Sequence, residues 1–129
     1  MAAKALTEET TTAGLVAVAD HRNDVVLVGR LTGAAQEREL PSGDALVSWR
    51  IVVDRPPVAR VDGRKPPTVD ALDCITWRKV VSRTVLGWQV GDTIEVSGSL
   101  RRRFWRSERG PVSRIEVEVV RARRLRRAA

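Results

Sequence analysis

Three features predict an all-β fold, a five-stranded barrel with one short helix between strands 3 and 4. Five stretches are rich in β-branched residues or alternate apolar with polar, one stretch after the third has helical spacing, and Gly/Pro-rich joints punctuate the chain. The 129 residues suit one domain with a core of its own and crowd two. With 43% hydrophobic and 30% charged residues, the composition is that of a globular protein.

Residues 1–22 read as a flexible lead-in, because "EETTTAG" has no core periodicity; "AGLVAVA" admits an extra strand turned by "DHRND". The first barrel strand is "NDVVLVGRLT", where Gly29 marks a bulge or bend. "PSGD" is a turn. "ALVSWRIVVD" then puts Val47, Trp49, Ile51 and Val53 on one face, opposite Ser48 and Arg50. The loop "RPPVARVDGRKPPTVD" carries Arg55, Arg60, Arg64 and Lys65, and loops of that length are usually functional or mobile.

"ALDCITWRK" is the third strand, and "VVSRTVLGWQVGD" the helix, with Val81, Val85 and Trp88 at helical spacing and Gly91 near its exit. "TIEVSGSLRRRFW" is the fourth strand, "RSERGP" its turn and "VSRIEVEVVRARRL" the fifth. There Ile115, Val117 and Val119 alternate with Arg114, Glu116 and Glu118. The barrel domain therefore covers 23–121, and 122–129 forms a basic C-terminal tail. Strand order and helix position are those of the oligonucleotide/oligosaccharide-binding (OB) barrel.

Within "SGSLRRRFWRSERG", alternation puts Leu100, Arg102 and Phe104 on one face, where Phe104 continues the apolar row Ile94, Val96 and Leu100. Ser99, Arg101, Arg103 and Trp105 take the other face, so an indole stands among arginines. Arg102, directed inward by the same alternation, belongs where the barrel wall ends or bends.

The chain carries 23 Lys+Arg against 16 Asp+Glu, a bias compatible with a polyanionic partner such as nucleic acid. One cysteine, Cys74, and one histidine, His21, exclude an intrachain disulfide and argue against a Cys/His zinc site. No cofactor is expected. The N-terminus does not read as a secretory signal and no run is long enough to span a bilayer, which makes cytoplasmic residence the default. No Ser-His-Asp or Cys-His arrangement and no phosphate-cradling glycine pattern is visible, so a binder is expected rather than an enzyme.

The stretches "VVLVGRLT", "LPSGDALVSWRIVV", "DCITWRKVV", "VGDTIEVSGSLRRRFW" and "SRIEVEVV", in this order and spacing, resemble the bacterial single-stranded DNA-binding (SSB) proteins from about Asn23 to Val120. The resemblance implies an OB-fold homotetramer that wraps single-stranded DNA over basic grooves with stacking aromatics, in replication, recombination or repair. It places Trp77 and Trp105 at two of the family's stacking positions. Two others fall on Pro57 and Ala71, and Asp73 stands where some relatives have a basic contact. The family's acidic C-terminal tip is replaced by "RARRLRRAA", so recruitment of repair enzymes through such a tip is not expected and a specialised paralogue is implied.

The expected DNA-binding residues are thus Trp77, Trp105, Arg101 and Arg103, then Arg30, Arg50, Arg55 and Arg78 as phosphate contacts. Four of them have a structural alternative: packing or subunit contact for Trp77, simple solvation for Arg30, Arg50 and Arg78. Trp49 and Trp88 are assigned to the core, and Ile75 faces outward, where it favours self-association. His21 receives no role. The terminal arginines from Arg121 to Arg127 offer either a further grip on nucleic acid or a solvated tail. Single-stranded RNA binding and an accessory interaction role are the alternatives; the physical basis of stacking and phosphate contact is shared by DNA and RNA.

Overall fold

The computed structural model describes residues 20–57 and 62–129. The possible strand at "AGLVAVA" and the loop residue Arg60 lie outside them. The elements are β1 (Val25–Leu31), β2 (Gln36–Glu39), β3 (Ala45–Asp54), β4 (Val69–Thr76), α1 (Lys79–Leu86), β5 (Thr93–Ser107) and β6 (Gly110–Arg126). The sheet order is β1-β5-β6-β4-β3-β2, and β1 also pairs with β3. Five strands therefore close into a ring, as expected for an OB barrel. β2 is an addition at the edge of β3; "QERE" has no apolar alternation to announce a strand, and all four residues are exposed.

Closure is a local steric matter. β1 pairs with β5 from Val25 to Arg30 and with β3 at Arg30↔Val52 and Leu31↔Ile51, so two neighbours converge on its end. A Cβ at Gly29 would run into the Val52 carbonyl. The glycine expected to mark a bend is the point of closest approach between strands. Gly98 plays the same part across β5 and β6: its Cβ would strike the Glu118 carbonyl, where the register shifts and Val120 is passed over.

The inward rows supply the core: Leu31, Val47, Trp49, Ile51, Cys74, Ile94, Val96, Val117 and Val119 are all buried. α1 caps the barrel with Val81 and Val85. An eight-residue helix is marginal alone, so tertiary packing holds it. The helix ends at Leu86, shorter than its spacing suggested, and Trp88 lies beyond it. Trp88 nevertheless reaches the core and meets Trp49 edge-to-face, with ring centroids 6.3 Å apart.

β6 continues to Arg126, into the basic stretch that the sequence sets apart as a tail. Asp92, 2% exposed, holds that end. Its carboxylate accepts hydrogen bonds from the main-chain N–H groups of Gln89 (2.9 Å) and Ala128 (2.8 Å), and Arg124 lies 3.5 Å away.

At the other end, β5 and β6 outrun the barrel. β5 pairs with β1 only as far as Gly98↔Val25, but with β6 to the turn at Ser107↔Gly110. The apolar row Ile94, Val96, Leu100, Phe104 therefore leaves the core midway. Ile94 and Val96 are fully buried, whereas Leu100 is 46% and Phe104 74% exposed. Alternation gave Phe104 the correct face, and hairpin length removed its burial. Arg102 sits on that projecting arm and bonds Ser113, in keeping with a wall that has ended. Ile75 departs from expectation: it points away from the barrel interior yet is 3% exposed, beneath the hairpin and the β2–β3 edge that bound the cleft described next.

Candidate nucleic-acid interface

The projecting β5–β6 hairpin and the β2–β3 edge bound a cleft of about 620 Å³ on the barrel's outer surface. Leu46, Ser48 and Ile75 line it from the barrel side, while Arg103, Phe104, Trp105, Arg114 and Glu116 come from the hairpin. Leu46 and Ile75 are buried outside the main core cluster.

Trp105 is 42% exposed, and the Arg114 guanidinium lies 5.3 Å from its ring centroid in cation–π geometry. The two side chains come from adjacent strands, since Trp105 pairs with Val112 and Arg103 with Arg114. Arg114 is also 3.8 Å from Asp73 and 4.0 Å from Glu116.

Most of the expected arginines meet a carboxylate. Arg103 reaches Glu116 at 3.5 Å, and Arg101 reaches Glu118 at 3.1 Å on the same hairpin face. Arg50 pairs with Asp73 at 3.0 Å and lies in a neighbouring depression that shares Ser48, Arg114 and Glu116 with the cleft. Trp77, 39% exposed, lies just past β4 in a separate depression with Lys79 and Arg83. Glu37 borders both tryptophan sites.

The remaining expected residues stand apart from this groove. Arg30 pairs with Asp54 at 3.3 Å. Arg55 is bound to Asp70 at 2.7 Å and lines a shallow hollow with Pro56, Pro57 and Lys65. The hydrogen bond between them holds the Asp70 carboxyl below its ordinary range and raises Arg55 further. Arg78 is the residue before α1; its N–H donates to Thr76 Oγ1, and among the described residues no carboxylate pairs with it.

Arg114, Glu116 and the double role of Asp73 were missed in the sequence. The signal for the first two was present: counting outward from the "RSERGP" turn sets Arg114 opposite Arg103 and Glu116 opposite Arg101. The reach of Asp73 depends on β4 lying parallel to β6, a pairing that no local pattern announces.

Among the described residues, no group of three His, Cys, Asp or Glu side chains converges, and no helix is long and apolar enough to cross a membrane. The Cys74 thiol is pushed up to about 12 by burial and by the negative charges of Asp73 and Glu116, which keeps it protonated.

Comparison with known proteins agrees with the fold. The chain is 30% identical over 101 residues to single-stranded DNA-binding protein A of Bacillus subtilis, a match that covers 76% of this chain and 57% of that protein. It is 32% identical over 88 residues to protein B of the same species, covering 68% and 75% respectively. The chain thus spans little more than half of some relatives. A solved structure, Plasmodium falciparum SSB complex with ssDNA, superimposes with a TM-score of 0.71 at 16% identity, covering 84% of this chain and 99% of that one, which shows the shared fold. The profile of the Single-strand binding protein family matches residues 22–125, and the chain belongs to that family.

Proposed function

We propose that this protein binds single-stranded DNA without regard to base sequence, through stacking on Trp105 and phosphate contacts from the arginines of the groove. The observation that carries the proposal is Trp105, half-open to solvent in a cleft shared with Arg103 and Arg114. Every base offers a π-face, so one indole serves all four; guanidinium groups at its edge take the phosphates and release counterions. Trp77 supplies a second platform across Glu37, and Arg50 extends the phosphate path beyond Ser48. Arg101 flanks the path, while Arg30, Arg55 and Arg78 stand outside the two linked depressions and contribute through long-range charge.

The relatives' names support single-stranded DNA as the ligand. A role in replication, recombination or repair, in the cytoplasm with the nucleoid, is part of the same reading. The reading is of a binder and not an enzyme; the single thiol, Cys74, is buried and held protonated. Assembly as a homo-oligomer, a tetramer by family likeness, belongs to the same proposal. Its basis in this chain is exposed valine on β1, with Val26 63% and Val28 45% exposed.

Fluorescence titration with poly(dT) tests the reading, because four tryptophans and no tyrosine make stacking visible as quenching. Trp105→Ala is expected to weaken binding by about 1–3 kcal/mol, and the logarithm of affinity to fall steeply with the logarithm of salt. Undiminished binding by the variant would sink the stacking model. Poly(U) in parallel reports whether the groove separates DNA from RNA.

A further inference from the structure

Glu116 sits at the junction of the groove. On β6 it precedes the inward Val117, so its side chain points to the outer face, opposite Arg101 on β5. It lines both the cleft and the neighbouring depression, as Ser48 and Arg114 do, so a strand passing from Trp105 toward Arg50 crosses it. Glu116 is 9% exposed, and its Oε1 is buried without a hydrogen-bond partner among the described residues. Arg103 faces that oxygen at 3.5 Å and Arg114 faces Oε2 at 4.0 Å, as ion pairs rather than hydrogen bonds. A buried carboxylate in this state is an acceptor in want of a donor. Beside it the cleft has an apolar floor of Leu46 and Ile75, both buried.

Building on single-strand binding by this groove, we propose that Glu116 reads the edge of one base in the bound strand and favours guanine there. Phosphates offer the arginines acceptors only. When they draw Arg103 and Arg114 away, the carboxylate loses its cations, and the bases are the part of the strand that can give it N–H groups. Guanine presents two adjacent donors, N1–H and the N2 amino group, which match the two oxygens of a carboxylate. Adenine and cytosine present one amino group each. Thymine sets its N3–H between two carbonyl oxygens, which a carboxylate repels. Position agrees with this role. The Arg114 guanidinium is 5.3 Å from the Trp105 ring centroid and 4.0 Å from Glu116, so one guanidinium spans indole and carboxylate. A base stacked on Trp105 thus has its neighbour over the Leu46–Ile75 floor, edge-on to Glu116. The indole supplies affinity for any base, and the carboxylate ranks the bases at the adjoining position.

Three DNA oligomers of equal length test the proposal: thymine alone, thymine with isolated guanines, and the same with inosine, which lacks the N2 amino group, in place of guanine. Tryptophan quenching on the full chain gives each affinity. The guanine oligomer is expected to bind at least about threefold more tightly than the inosine one. Glu116→Gln should bring that ratio close to one while the thymine oligomer still binds. Equal affinity for guanine and inosine in the unmodified protein overturns the proposal, whether or not the variant folds, and leaves the stacking model standing. A ratio that survives in Glu116→Gln overturns it too. Absence of binding to all three oligomers would strike the stacking model itself, and this proposal with it.

Discussion

Trp105 and its neighbours show how much of a binding groove is decided by single charges. Arg50 and Arg114 both lean on Asp73, while Arg103 leans on Glu116. The two pairs to Asp73 are partly exposed and worth about 0–1 kcal/mol each, so a phosphate can replace that carboxylate at small cost, whereas Glu116 is buried. The carboxylates nevertheless repel the incoming backbone. Asp73→Asn is therefore expected to tighten poly(dT) binding by up to about fivefold at low salt, with the gain fading as screening increases. A titration of both proteins across a salt series checks this; weaker binding by the variant would mean that Asp73 chiefly holds Arg50 and Arg114 in place. At this scale the face of Trp105 was readable from alternation alone. Its guanidinium cover was not, because Arg114 becomes its neighbour only once the hairpin register is counted.

Among the elements, β1 is the strand on which closure turns. It serves two partners, and the second is reachable only because Gly29 offers no side chain to the Val52 carbonyl. Gly29→Ala is expected to destabilise the barrel by roughly 1–3 kcal/mol or more, as overpacking of a tight contact does. Urea unfolding followed by tryptophan fluorescence measures it, and an unchanged midpoint would show that β1 and β3 can separate freely. The barrel strands and the helix were legible because their apolar residues recur with period two or with helical spacing. β2 was not, since "QERE" owes its conformation to the edge of β3 and buries nothing. The outcomes for Phe104 and Ile75 share one cause. Pattern assigns a face, but burial depends on where the barrel ends and on what folds over its outside. The linked groove was legible only in part: Arg103 and Trp105 could be paired on one strand, whereas Arg50 joins them through a β4–β6 contact distant in sequence.

The whole molecule is held at its closed end by Asp92. The N–H groups of Gln89 and Ala128 hold its carboxyl below the ordinary range, with Arg124 adding to the effect against the opposing cost of burial. A lowered value in the fold means the contribution is complete above the usual carboxylate pKa, about 4, and disappears as the pH falls through the lowered value. Asp92→Asn should accordingly lower Tm at pH 7, and the deficit should shrink as the solution is made strongly acidic. Melting curves from neutral to acidic pH decide this; a deficit that stays constant would assign the role to hydrogen bonding alone, without the charge. Asp92 fastens the C-terminal end of β6 beside Thr93, while Asn23 fastens the entry to β1 beside Leu100. The two attachment points lie at opposite ends of the stretch of β5 that β1 and β6 both grip. Tension applied between Asn23 and Ala128 would thus drag β1 and β6 lengthwise past β5 in contrary directions. Their ladders would bear that load in parallel, resisting as a sheared joint instead of peeling open one bond after another.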